Sequence, residues 1–158
     1  MKLVRRDGRT LLFSLSKNEG ELFEHLLALY PLIPVSYHRA HRVPQPSPGD
    51  AQQVLEESMS AEKQANEIKV RSWLKKRLEL TNKPGSGFLL RVKRDEGEWL
   101  LQILNDLRVG SWVQLGCPAT LPEGELPEEM QSFRVTMDLT GYFQCVLLET
   151  LSSIQDPG

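Results

Sequence analysis

Asn105, Asp106 and Arg108 bring an amide, a carboxylate and a guanidinium into one short stretch, Leu104-Asn105-Asp106-Leu107-Arg108. Such a set could grip a carboxylate or phosphate, or orient a water. With Asp138 as a second carboxylate, Asp106 and Arg108 would make a small hydrolase or lyase. The structural alternative pairs Arg108 with Asp138 across two helices, bonds Asn105 to a loop carbonyl and leaves Asp106 at the solvent edge. That alternative is preferred, because breaking a buried pair costs several kcal/mol and a domain needs no catalytic reason to keep one.

Lys69, Arg71, Lys75, Lys76 and Arg77 crowd around Trp73, and a basic helix bearing an aromatic ring can track a phosphate backbone. The plainer account is a solvated face with Trp73 buried and Lys69, four residues away, stacked on its ring. His38 and His41, flanked by Arg39 and Arg42, sit three apart without a nearby Cys or carboxylate, a weak metal signal. Gly85-Ser86-Gly87 is followed by a strand-like run where a phosphate loop needs a helix N-terminus. Cys145, on an apolar helix, reads as a buried thiol. Cys117 and Cys145 lack metal or redox spacing and suit a reducing cytoplasm. No metal, cofactor or catalytic nucleophile is indicated.

A net charge of −2 argues against attraction of the whole surface to nucleic acid or anionic lipid. The start, MKLVRRDGRTLLF, interrupts any signal-like apolar run, and no stretch has the length of a membrane span. The expectation is a soluble cytoplasmic protein forming one domain over residues 1–158, large enough to hold together without disulfide or metal.

The elements that must position these residues follow from pattern. Two β-prone runs around Asp7-Gly8 predict a hairpin over 2–15. Ser16 and Glu19 have the spacing of a capping box, opening a helix to Tyr30 with Leu22, Phe23, Leu26 and Leu27 inward. Prolines from Pro31 to Pro48 make 31–49 a loop. Residues 50–82 are helical in pattern, but an unbroken helix there would span about 48 Å against a domain of about 40 Å. Either a break near Ser58 to Ser60 or a projecting helix follows. Phe88 to Lys93 reads as a third strand. Asp95 and Glu98 repeat the capping spacing ahead of the central core helix, 96–115. In it Trp99, Leu100, Ile103, Leu104, Leu107 and Ser111 share a face, and Leu101, Asn105, Arg108 and Trp112 form a second stripe. A last helix covers 128–153.

The hairpin leading into a helix, the L-N-D-L-R segment followed by Leu115-Gly116, and Asp138-Leu139-Thr140 together resemble an uncharacterised bacterial family known as a domain of unknown function. Val109-Gly110-Ser111-Trp112 departs from the leucine, alanine and glycine that family members carry there. The resemblance implies a mostly helical fold and assigns no activity or catalytic residue. Members are often encoded near the substrate adaptor of a Clp-type protease, which points toward regulated proteolysis.

The reading is an α+β fold, predominantly α-helical, with about four packed helices and a small antiparallel sheet of three strands. The function expected is non-enzymatic: an interaction or regulatory domain contacting an unidentified protein partner through the loop Tyr30 to Tyr37 and the long polar helix. Nucleic-acid binding through 69–77 and hydrolase or lyase chemistry are the alternatives. Neither a nucleic-acid nor a membrane partner is favoured.

Overall fold

The structure, a computed structural model, describes residues 1–32, 49–82, 85, 87–121 and 123–155. Strands β1 (Lys2–Asp7) and β2 (Thr10–Leu15) form the expected antiparallel hairpin. Asp7 pairs with Thr10, so the two turn residues are Gly8 and Arg9 rather than Asp7 and Gly8. Gly8 takes φ +54°, a conformation that glycine reaches without steric cost. The Ser16 box then opens α1 (Lys17–Ala28): the Glu19 amide donates to Ser16 Oγ at 3.1 Å, and the Ser16 amide donates to Glu19 Oε2 at 2.8 Å. Phe23, Leu26, Leu27 and Tyr30 are buried, whereas Leu22 is exposed.

Helix α2 (Gly49–Arg77) runs unbroken through Ser58 to Ser60 for 29 residues, about 44 Å at the usual rise. Its last expected turn is instead strand β3 (Leu78–Leu80). Leu78-Glu79-Leu80 alternates, and pairing with β4 (Phe88–Lys93) completes a fourth strand that helical periodicity conceals. The sheet order is β1-β2-β4-β3, antiparallel throughout. Leu11 opposite Val92 and Phe13 opposite Leu90 cover the inner face, while Ser14, Arg91 and Lys93 face outward. Two glycines permit close approach: a Cβ on Gly20 would lie 2.0 Å from the Phe88 ring, and one on Gly87 would lie 1.9 Å from the Leu15 carbonyl oxygen.

Helices α3 (Arg94–Gln114) and α4 (Glu128–Gln155) form the centre of the core. Gly97, near the start of α3, abuts Leu151, near the end of α4, so the two run antiparallel. Leu100, Ile103, Leu104 and Leu107 of α3 are fully buried with Phe143 and Leu147 of α4, each such side chain contributing about 1.5–3 kcal/mol by leaving water. The Phe23 and Phe143 rings meet edge-on at 4.9 Å, tying α1 to α4. The buried hydroxyls of Ser111, Thr136, Thr140 and Thr150 each donate to the carbonyl four residues earlier in their own helix. Helix α3 begins before the expected position: Glu96, not Glu98, reaches back, accepting from the Lys93 amide at 3.1 Å. Among the described residues, four helices and a four-stranded antiparallel sheet make the fold α+β and mainly helical. Among the described residues no helix is long and apolar enough to cross a membrane.

Candidate functional site

Helix α2 lies beside α3 in the opposite direction, and their facing side chains meet in rungs. At one end Arg77 Nη2 donates to Glu96 Oε1 at 2.6 Å, with both side chains mostly buried. Trp73 meets Trp99 edge-on at 5.7 Å, and Lys69 Nζ stands 4.3 Å from the Trp99 ring centroid. Trp99 Nε1 donates to Asn66 Oδ1 at 3.2 Å, and Asn66 Nδ2 donates to the Tyr30 hydroxyl at 3.5 Å. This chain of contacts explains how a helix so poor in apolar residues stays attached. Among its described side chains only Val70 and Trp73 are buried.

Past Asn66 the helices no longer close on each other. Met59, Glu62, Lys63 and Asn66 of α2 face Gln102, Asn105, Asp106 and Val109 of α3 across an open cleft of about 310 Å³. Each set repeats at three, four and seven residues, the spacing of one helix face. Tyr30, Pro31 and Leu32 supply the remaining wall. On the other side of α2 a second groove, about 370 Å³, has an apolar floor that includes Leu27, Val70, Leu74 and Phe88.

The cleft perturbs its titratable groups. Burial pushes the Tyr30 hydroxyl above its ordinary pKa; the Asn66 hydrogen bond opposes this, and the negative charges of Asp106, Glu62 and Glu67 add to it. Burial lowers the Lys63 ammonium, and Asp106 counters by favouring its charged form. At the closed end burial alone would raise Glu96, but the hydrogen bond from Arg77, helped by Trp73 and the Lys93 amide, outweighs it and holds the carboxyl below the usual range. A separate cluster joins α1 to α4. There the Tyr142 hydroxyl donates to Glu19 Oε1 at 2.7 Å, and the Met1 amino group contacts both. Burial, then the Glu19 hydrogen bond, pushes Tyr142 up to about 12. Glu19 falls to about 2: burial would raise it, but hydrogen bonds from the Met1 amine, the Ser16 backbone and Tyr142 prevail.

The residues singled out in the sequence separate. Asn105 and Asp106 line the cleft, Asn105 exposed and Asp106 half-buried. Arg108 and Asp138 are both exposed, neither lines the cleft, and no ion pair joins them among the described residues. The expected internal fastening by Arg108 is therefore corrected. Leu107 is fully buried, and the next position round the helix turns to solvent, so the stripe Leu101, Asn105, Arg108 and Trp112 is an outer flank of α3. Of the hydrolase or lyase trio, only Asp106 lines either of the two clefts described above.

The basic cluster is also divided. Lys69 sits over Trp99 rather than Trp73, Arg71 pairs with Glu67 at 2.9 Å and Arg77 is held by Glu96, while Lys75 and Lys76 remain on the surface. Cys145 is exposed, contrary to expectation, because it lies off the buried Phe143 and Leu147 face. His38, His41, Arg39 and Arg42 lie outside the described residues, as does most of the loop Tyr30 to Tyr37. Among the described residues no group of three or more His, Cys, Asp or Glu side chains could hold a metal ion.

Sequence reasoning missed Lys63, Asn66 and Gln102. Their signal was present as a polar stripe at helical spacing on each of two helices, but nothing local shows that the stripes face each other. Compared with protein-family models, with curated proteins and with solved structures, the chain finds no match.

Proposed function

We propose that this chain is a non-enzymatic protein-interaction or regulatory domain of the cytoplasm, and that the first half of α2 is its contact surface. The observation that carries this reading is the way α2 is used. It has 29 residues, yet its own domain buries only Val70 and Trp73 among the described side chains, both in its second half. Toward the other end Val54 and Leu55 are 64% and 40% exposed. A helix held at one end and carrying unburied aliphatic side chains at the other offers the anchors that helix-mediated recognition employs. The resemblance to the L-N-D-L-R family supports placing the domain in a bacterium and near regulated proteolysis. Catalysis is not supported by the separation of Asp106 from Arg108 and Asp138.

The test is affinity capture from cells that express the chain, comparing the wild type with a Val54→Asp/Leu55→Asp variant. The expected result is a partner retained by the wild type and lost by the variant, with unchanged melting temperatures. A partner held equally by both, or none held by the wild type, would reject this surface.

A further inference from the structure

The α2–α3 cleft presents both signs of charge and an apolar wall within one small space. Lys63 comes from α2 and Asp106 from α3, with the amides of Gln102 and Asn105 beside Asp106. Met59, Val109 and Leu32 furnish the hydrocarbon surface. Its volume of about 310 Å³ lies at the small end of ligand cavities, roughly 300–1,000 Å³. A purely apolar ligand would desolvate charges and amides without matching them. An ion of one sign would find a like charge among the lining groups. Glu62 of α2 adds a second carboxylate to the lining. A molecule carrying an ammonium, a carboxylate and a short hydrocarbon chain therefore sets its positive end toward Asp106 and Glu62, its negative end toward Lys63 and its chain against the apolar wall.

We propose that this cleft binds a small zwitterion of the apolar α-amino-acid class, its ammonium on Asp106, its carboxylate on Lys63 and its side chain against Met59 and Val109. Gln102 and Asn105 complete the hydrogen bonding, an amide offering both a donor and an acceptor. Tyr30, fixed by Asn66, closes one end of the site. Lys63 and Asp106 already hold interactions within the protein, and the two charge-assisted hydrogen bonds of the bound ligand replace these. The site is distinct from Val54 and Leu55, so it stands or fails separately from the interaction surface.

Isothermal titration of the full chain tests this with L-leucine as probe, alongside leucinamide, which lacks the carboxylate, and isocaproate, which lacks the ammonium. The expected result is saturable leucine binding, with each analogue weaker by at least about tenfold, the loss that follows from deleting one charged hydrogen bond. Lys63→Met and Asp106→Asn, checked for an intact melt, should each reduce leucine affinity similarly. Absence of leucine binding overturns the proposal. So does either analogue binding as tightly as leucine, a comparison that uses only the wild-type chain and needs no variant to fold.

Discussion

Replacing Arg77 by methionine keeps most of the aliphatic stem and removes only the guanidinium. The Glu96 side chain, 17% exposed beside Arg77, would then have lost a 2.6 Å charged hydrogen bond. The Lys93 amide would still donate to Oε2, and Trp73 would still favour the charged carboxylate. A fully buried pair broken on one side costs about 3–5 kcal/mol, whereas an exposed pair is worth under about 1 kcal/mol. Partial burial places Arg77→Met between them, at about 1–3 kcal/mol. For a chain of this size each kcal/mol moves the melting temperature by about 2–4 °C, so a drop of several degrees at pH 7 is expected. The sign with pH follows from the depressed Glu96 carboxyl. A carboxyl whose pKa is lower in the folded state contributes its full stability above the unfolded value, about 4.3, and loses it as pH falls through the folded value. The gap between wild type and Arg77→Met, measured by urea denaturation, should therefore narrow as pH is taken from 7 toward 3. A gap of constant size across that range, or none at pH 7, would refute the assignment of this pair as the clamp at the closed end of α2. A cycle with Glu96→Gln should return a coupling of about 1 kcal/mol or more, as residues in direct contact do.

Gly87→Ala would drive a Cβ into the Leu15 carbonyl, a backbone group that cannot swing aside. Calorimetry should show a loss of about 1–3 kcal/mol, the usual cost of overpacking. Gly20→Ala meets the side chain of Phe88 instead, so its loss should be the smaller of the two. Arg108→Ala should change stability by less than about 0.5 kcal/mol, as substitution of an exposed residue usually does; a marked fall in melting temperature would restore the internal role that its exposure contradicts. Cys145 should react with a maleimide in the native state, faster than the half-buried Cys117, as mass spectrometry of partly labelled protein would show.

The parts of the fold that depend on near neighbours were legible in the residues. Ser16 and Glu19 announce the start of α1 because the capping box is completed within four positions. Leu100, Ile103, Leu104 and Leu107 announce a buried helix because their spacing selects one face. What was not legible depends on distant partners. Leu78 to Leu80 continues a helical pattern and becomes a strand through pairing with Phe88 to Leu90. Lys69 has Trp73 one turn away, yet the ring it covers belongs to Trp99 on another helix. Asn105 and Arg108 look equivalent on a helical wheel. Only the position of α2 sets one on the cleft and leaves the other in solvent.

The self-contained bonding of Ser111, Thr136, Thr140 and Thr150 has a bearing on how α3 and α4 find their alignment. None of these hydroxyls needs an acceptor on the opposite helix, so sliding one helix along the other would break no bond of theirs. Alignment falls to steric fit, and the seat of Leu151 against Gly97 is the notch that indexes it. Trimming Leu151 would loosen that index while leaving every one of those hydrogen bonds in place.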